Sequence, residues 1–598
     1  MHVNKSIQLQ ALRGIAVALV VLYHMGYTQF HNGWIGVDIF FVLSGFLMWE
    51  LYRHSILKGK VREFFQRRLK RLLPALSVLL IFSNLIFFFR FLPFERQLLL
   101  HETSAANLIA SNINYWMGDQ YFSNGSLRPL LNLWSIALEI QFYLIFPLVV
   151  FFIKRSKSRF CFLFAASFLS FLILSQVSPQ TSFFLLPGRL WEFLMGVLVG
   201  SIARAKVRYR PNFTFILSLS LMFLIVTLKL SLDSVQTVAF QVGAVCLFSL
   251  LIWAAWSGED RNVISVVLGK LGDYSYSIYL IHFPLIVLIA YRPFLGNPAG
   301  IHGFDNFLLF GCLLVFLSWL SKRFVEDSNF LKIHYIKVWG VSLALSVILL
   351  VLQPVILTLG FNSKEVAISN ASKDRGDFRC GLLLRLPLLS DPSKTCLLTD
   401  SPANMQKVLL VGNSHANAIK EAVVKALPNR SVYLLNENNP LSSLNLKAYE
   451  AAIADLRPKT VILHSSSGST GIDALRDLLK FTKSLGVDFV VIDPVPTPGF
   501  DVPVTAYNLL NAPKSLINFK DKEFTIGSYN LRNSTELDFY SKLASTRELI
   551  QIPVVDLFCK PFCQIVDSQS LRPLYFDYGH VTKTGASKLV SRIKGTLE

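Results

Sequence analysis

Charge is scarce in this sequence: Asp, Glu, Lys and Arg together make up 16% of its 598 residues, where a soluble domain carries about 25%. The shortage excludes an ordinary soluble protein of this length, and it is uneven. Residues 1–360 are a succession of apolar stretches, whereas residues 361–598 read as a globular domain. Cysteine and histidine are also few, 7 and 11. No Cys-x-x-Cys pair or Cys/His grouping has zinc-like spacing, so no metal is expected. Cys161, Cys246 and Cys312 lie in apolar stretches, where a lone cysteine packs as a small residue. Cys380, Cys396, Cys559 and Cys563 lie in the polar part and point to two disulfides in an oxidising compartment. The pairs 380–396 and 559–563 are the local pairing among three connectivities. The apolar run from Ile15 to Tyr23 lacks a small-residue cleavage site, so a cleaved signal peptide is not expected.

What is plentiful is apolar sequence punctuated by basic loops. A helix crossing a bilayer needs roughly 20 apolar residues. Candidate spans fall at 8–29, 34–52, 73–92, 136–153, 160–177, 187–203, 213–231, 236–256, 275–291, 305–322 and 338–360. That is about eleven, the sixth being the shortest. The net charge of +20 falls in short loops between these runs, which argues for membrane topology and against a nucleic-acid partner. Arg53 to Arg71 after the second span, Lys154 to Arg159, Arg204 to Arg210 and Lys322 to Lys337 are basic; loop 93–135 and the turn Ser178–Thr181 are not. The positive-inside rule therefore places the N-terminus in the cytoplasm. An odd number of spans puts residues 361–598 outside, in agreement with the cysteines.

Ionisable residues inside spans cost about 2.5–3.5 kcal/mol each, so each needs a partner or a purpose. Arg13 and His24 lie eleven positions apart, close to three helical turns, and share one helix face roughly 16 Å apart. Asp38, Glu139 in Leu133-Trp-Ser-Ile-Ala-Leu-Glu-Ile-Gln-Phe-Tyr143, and His282 in Ser275-Tyr-Ser-Ile-Tyr-Leu-Ile-His-Phe-Pro284 are further cases. Arg189 and Glu192 are spaced to pair. A snorkelling Arg, a hydrogen-bonded His and a structural ion pair are the plain alternatives.

In these motifs residues 7–335 resemble the acyltransferase-3 family of membrane acyltransferases. Arg13 and His24 match its Arg/Lys-x10-His pattern, and Arg68 and Arg71 match its Arg-x-x-Arg motif. The sequence departs from the family at Ile140, where a second Glu is usual, and at Glu326-Asp-Ser in place of Glu-x-Pro. The resemblance implies an all-α polytopic membrane domain over 1–335, about ten spans, with 336–360 as one more, linking, span. It implies acetyl-CoA as cytoplasmic acyl donor. Arg13, Arg68 and Arg71 would bind its phosphates through charge-assisted bonds. Glu139 is the matching acid. His24 would act as general base or as transient acyl carrier.

From Lys407 short apolar runs alternate with helical stretches. Residues 408–411, 431–435, 460–464, 488–492 and 553–557 read as strands, and 416–427, 472–485 and 534–550 as helices. The pattern predicts a three-layer α/β domain, flavodoxin-like, over 404–598, after a polar linker 361–403. Its site is expected beyond the carboxyl ends of the strands. There lie Gly412-Asn-Ser-His415 and, near the C-terminus, Phe576-Asp-Tyr-Gly-His580. This pair of motifs resembles the SGNH hydrolase superfamily, which implies Ser414 as nucleophile, His580 as its base and Asp577 as the group fixing the imidazole tautomer. Asn413 stands where Gly-Asp-Ser has its acid, and no oxyanion-hole Asn matches, since the third strand runs into His464-Ser-Ser-Ser-Gly468. His415 is expected to be structural or to shape the pocket.

Together the resemblances imply an O-acetyltransferase of the bacterial inner membrane with a periplasmic C-terminal domain. Its acceptor is expected to be a hydroxyl of a lipid-linked or surface polysaccharide, lipopolysaccharide O-antigen first and peptidoglycan second. The same triad would make an esterase if water replaced the sugar. A transporter or sensor is the non-enzymatic alternative, and it leaves the Arg-x-x-Arg cluster without a ligand.

Overall fold

The computed structural model describes residues 7–117, 127–203, 234–257, 263–376, 395–399, 405–436, 441–443 and 445–598. The chain divides into two compact units, one of residues 1–91 and 95–356, the other of 92–94 and 357–598.

The first unit is helical, because in lipid each backbone N–H and C=O must be satisfied within its own segment. Its helices are α1 (Ile7–His24), α2 (Ile35–Leu57), α3 (Val61–Arg90), α4 (Pro93–Asn107), α5 (Ser111–Met117), α6 (Leu133–Arg155), α7 (Lys157–Val177), α8 (Pro179–Phe184) and α9 (Leu186–Ala203). Ser234–Ser257, Val263–Asp273, Ser275–Ala290, Phe304–Ser321 and Tyr335–Val351 follow. Lipid tails are as apolar as leucine, so helices associate through close packing and buried polar bonds. Both are visible here. A Cβ at Gly45 would lie 1.9 Å from the Phe193 carbonyl oxygen, and one at Gly196 2.0 Å from that of Val42; only glycine permits this α2–α9 approach. Arg189 Nη1 donates to Asp38 Oδ1 and Glu192 Oε1, both at 2.9 Å, and Gln241 Nε2 donates to Glu192 Oε1 at 3.0 Å. The expected Arg189–Glu192 pair is thus one edge of a larger network that includes Asp38.

Among the described residues seven helices are long and apolar enough to cross a membrane, or eight if the pair Ser265–Asp273 and Ser275–Ala290, bent by 67°, counts as one span. About eleven were expected. The sixth, 187–203, forms α9, which is short and carries two charges and is not among the seven. The last, 338–360, ends early at Val351, where the chain turns before Gln353-Pro354. The span 213–231 and the basic residues Arg204, Lys206, Arg208 and Arg210 lie outside the described residues. The loop expected after the second span shrinks to Lys58–Lys60, and Arg62 to Arg71 stand on the opening turns of α3. No breaker interrupts Val61–Arg71, so its polar composition does not prevent helix formation.

The second unit is built on a six-stranded sheet of order β1-β3-β2-β4-β5-β6. Its strands are β1 (Cys396–Leu397), β2 (Lys407–Gly412), β3 (Ser431–Asn436), β4 (Thr460–His464), β5 (Asp488–Ile492) and β6 (Ile550–Ile552). All pairs are parallel except the short antiparallel edge β1–β3. Leu409, Val411, Val461, Leu463 and Val491 pack on the helices Leu446–Leu456, Ile472–Ser484 and Ile526–Ser545. The opposite layer includes the helices Ser414–Ala426 and Val590–Leu597. Leu475, Leu478 and Leu479, at i, i+3 and i+4, seat the second of the first three on the sheet, each burial being worth about 1.5–3 kcal/mol. The fifth predicted strand, 553–557, is displaced to Ile550–Ile552, because Pro553 has no N–H for the ladder and the chain turns into the helix Val555–Phe558.

The segment expected as a polar linker holds the helix Ser363–Ser369, closed by a capping box between Asn362 and Glu365. Asp374 Oδ2 accepts from the Thr584 N–H at 3.1 Å, which ties this segment to the α/β domain. Cys559 and Cys563 form a disulfide. Cys396 is disulfide-bonded, while its expected partner Cys380 lies outside the described residues.

Candidate active sites

In the second unit the chain passes from β2 to β3 on one side and then to β4 on the other, so β2 marks a topological switch, where α/β folds bind ligands. Gly412 closes β2 with φ +149°, and a Cβ there would lie 1.8 Å from the His464 carbonyl oxygen. Asn413 caps the next helix, its Oδ1 accepting from the His415 N–H at 3.1 Å. Its Nδ2 donates to Ser466 Oγ at 2.9 Å, a bond the more usual Asp could not donate. Ser414 thereby stands at the first position of a 13-residue helix.

Ser414 Oγ lies 2.7 Å from His580 Nε2, and His580 Nδ1 lies 2.7 Å from Asp577 Oδ2. The other carboxylate oxygen, Oδ1, accepts from the N–H groups of Gly579 at 2.8 Å and His580 at 2.7 Å. Burial alone would raise the Asp577 pKa, but the bonds from His580 and Gly579 outweigh it and hold the carboxyl below its ordinary value. As a carboxylate, Asp577 accepts the Nδ1 proton and leaves the Nε2 lone pair to the serine hydroxyl. His415 packs on His580 with ring centroids 4.5 Å apart. Burial, and then the neighbouring His580 and His464, push its pKa well below the usual histidine value, so His415 is neutral. Such an arrangement can attack an acyl carbon and hold the acyl group as an ester. The Ser414 N–H lies at the positive end of the helix, a position whose chemistry suits an oxyanion.

The turn that follows β4 is held by a residue that no sequence signal marked. Glu536, on the helix Ile526–Ser545, accepts from the N–H groups of Gly468 at 3.1 Å and Thr470 at 3.0 Å. Nothing local to Glu536 marks it, because its partners lie 68 and 66 positions away.

In the first unit Arg13, Arg68, Arg71 and Glu139 line one small cavity of about 60 Å³. Glu139 Oε1 accepts from Ser44 at 2.9 Å and from the Tyr143 hydroxyl, and lies 4.0 Å from Arg68 Nη2. Arg68 also donates to the Tyr143 hydroxyl at 2.9 Å, while its buried Nε has no partner among the described residues. Arg13 bonds Gln10 at 3.3 Å, and Arg71 makes no hydrogen bond or ion pair among the described residues. Three cations thus face one carboxylate.

His24 is not in this cavity. It lines a larger one, of about 520 Å³, with Tyr23, Trp34, Trp134, Asp38 and Arg189. Val37 and Tyr279 line both cavities. Tyr279 is held in place by Ser135 Oγ, 2.6 Å from its hydroxyl, and by Asn132 Nδ2, which donates to its carbonyl at 2.7 Å. His282 is buried beside His24, with Nε2 3.2 Å from His24 Nδ1. Glu326, noted as a departure, accepts from Ser277 and from Lys322 Nζ, the latter at 3.1 Å, in a π-helical turn.

Comparison with known families and proteins matches this architecture. A family model described as an acyltransferase domain matches residues 6–323, and one described as an SGNH domain fused to such domains matches 380–595. A Bacillus subtilis protein, YrhL, provisionally named a peptidoglycan O-acetyltransferase, is 30% identical over 393 residues, 56% of this chain and 58% of that protein. The O-acetyltransferase OatA of Staphylococcus aureus is 30% identical over 309 residues, 47% of this chain and 50% of its own length. The chain therefore spans only about half the length of these relatives. The periplasmic domain of a lipopolysaccharide acetyltransferase from Salmonella Paratyphi A aligns with a TM-score of 0.27 and 17% identity, over 32% of this chain and 84% of that one.

Proposed function

The chain belongs to the acyltransferase-3 family, and from that membership we propose that it is a membrane O-acetyltransferase working in two stages. In this reading the N-terminus is cytoplasmic and the second unit lies in the periplasm of a Gram-negative cell. The basic loops and the bonded cysteines support that orientation.

The first stage draws on cytoplasmic acetyl-CoA, which supplies an activated thioester. Arg13, Arg68 and Arg71 bind its phosphates; the excess of cations over Glu139 and the Arg68 Nε, unpartnered among the described residues, support this assignment. Glu139 holds Arg68 and Tyr143 in register. His24, in the adjoining cavity, serves as general base on the acceptor or as the acyl carrier itself; in either case the thioester C–S bond breaks and CoA leaves as the thiol.

In the second stage Ser414 Oγ attacks the acetyl carbon, the bond from that carbon to its carrier breaks, and the serine proton passes through His580 Nε2 to the departing carrier, with Asp577 fixing Nδ1–H. A sugar hydroxyl then attacks the Ser414 ester and gives up its proton through His580. The acetyl group leaves on the sugar, and the Ser414 hydroxyl is restored. The acceptor is a surface polysaccharide, lipopolysaccharide O-antigen in the first place. Peptidoglycan is the second reading, favoured by the name of the Bacillus relative.

The observation that carries the proposal is the unbroken chain of hydrogen bonds Ser414–His580–Asp577. Its test is mass analysis of the full-length protein quenched during turnover. An acetyl increment on the peptide carrying Ser414, absent in His24→Ala, supports the two-stage reading. Turnover with Ser414 unmodified under single-turnover conditions removes the second stage.

A further inference from the structure

We infer that His282 is the positioning partner of His24: it fixes which ring nitrogen of His24 carries the proton, and so presents a free lone pair to the larger cavity. The inference rests on the proposed acyl-handling role of His24 and assigns to His282 a part in it.

The proton positions follow from which neighbours can only accept. His282, in the helix Ser275–Ala290, has Nδ1 2.8 Å from the Tyr279 carbonyl oxygen and 3.2 Å from that of Ile278. A carbonyl cannot donate, so Nδ1 bears the hydrogen and the lone pair of the neutral ring is on Nε2. That Nε2 faces His24 Nδ1 at 3.2 Å, and the same His24 nitrogen lies 3.0 Å from the Val20 carbonyl oxygen. Both neighbours of His24 Nδ1 are acceptors. The hydrogen of His24 is therefore on Nδ1, and its lone pair is on Nε2, for which the described residues provide no hydrogen-bond partner. The opposite tautomer would set the Nδ1 lone pair against a carbonyl and against another lone pair.

The anchor of this arrangement is itself fixed. The Tyr279 carbonyl also accepts from Asn132 Nδ2 at 2.7 Å, so α6 holds the helix turn that holds His282. The His282 side chain is wholly buried, and the two rings meet at 5.2 Å between centroids. Phe283 closes on His24 at 4.8 Å. When His24 Nε2 takes up a proton or an acyl group, the ring becomes cationic. Its Nδ1–H is then a charge-assisted donor to His282, a bond roughly twice as strong as a neutral one.

Two substitutions separate positioning from packing. In His282→Asn the amide replaces Nδ1 and still caps the Tyr279 carbonyl, but nothing reaches His24. In His282→Gln the amide oxygen reaches where Nε2 stood and accepts from His24. Full-length protein in detergent, given acetyl-CoA and isolated cell-envelope polysaccharide, is assayed by release of the CoA thiol. The expected result is a kcat within about threefold of wild type for Gln and a fall of roughly 10–100-fold for Asn, with KM for acetyl-CoA unchanged. Equal kcat in the two variants, or Asn above Gln, overturns the inference. The ¹⁵N shifts of His24 in histidine-labelled protein read the tautomer directly. A protonated, pyrrole-type Nδ1 is expected in wild type, and a pyridine-type Nδ1 overturns the inference whatever the variants do. His24→Ala separates the two layers: wild-type kcat there removes the underlying role of His24, while the ¹⁵N result still decides the tautomer.

Discussion

Replacing Asp577 by Asn exchanges one carboxylate oxygen for an NH₂ group and should disable the second unit's chemistry. Asp577 Oδ1 accepts from two backbone N–H groups, those of Gly579 and His580. An asparagine must keep its oxygen there, because turning the NH₂ toward two N–H donors would forfeit both bonds. Its Nδ2H₂ then faces His580 Nδ1, where Oδ2 stood at 2.7 Å. A donor at that position makes Nδ1 the acceptor and moves the ring hydrogen to Nε2. Nε2 now donates to Ser414 Oγ, so it cannot take the serine proton. Loss of the correct tautomer in a triad costs about 10⁴-fold in kcat, or roughly 5.4 kcal/mol at 1.36 kcal/mol per decade. The fold should be intact, since the backbone bonds survive. The assay is hydrolysis of a small activated acetate ester by full-length protein, with Ser414→Ala as the floor. A loss smaller than about tenfold would refute this assignment of Asp577.

Arg71→Ala should raise the KM for acetyl-CoA by about 10-fold or more, with kcat changed little, because it removes one charged contact and no intramolecular bond. Steady-state thiol release measures it, and an unchanged KM counts against the arginine cluster as the donor site. Asp493 accepts from Gln551 Nε2 at 2.9 Å, and burial pushes its carboxyl up from 3.8 to about 6. A raised acid gives stability that is fully present below pH 3.8 and lost as pH rises through about 6. Asn keeps the acceptor without the charge. Asp493→Asn should therefore melt above wild type at pH 7.5, by up to about 3 kcal/mol of stability, with the gap closing towards pH 4. A gap independent of pH would contradict this.

Much of this was legible in the sequence, wherever the signal was local. The strand Thr460–His464 coincides with its apolar run, and β2, β3 and β5 lie within a residue or so of theirs. Asp577 and His580 sit three apart in one short motif, a spacing that fits their contact, and Ser414 sits in another. Tyr143 is one turn after Glu139 and meets it as helix geometry dictates. Hydropathy could not show that α3 begins at Val61, because the basic opening turns of a helix and a basic loop have the same composition. Pro553 shifted β6 by chemistry that an apolar run conceals. Long-range partners were hidden altogether. Ser44 reaches Glu139 across 95 positions, and His282 reaches His24 across 258. Arg13 and His24 share a helix face, as their spacing implies, yet line different cavities that have Val37 and Tyr279 in common, which no periodicity could indicate.

In the proposed relay one acetyl group passes through both units. Mass analysis of envelope glycans tests it most directly, in cells carrying wild type, His24→Ala or Ser414→Ala at equal membrane abundance. Acetylated glycan in wild type and its loss in both variants is the predicted result. Full acetylation in Ser414→Ala would contradict the claim.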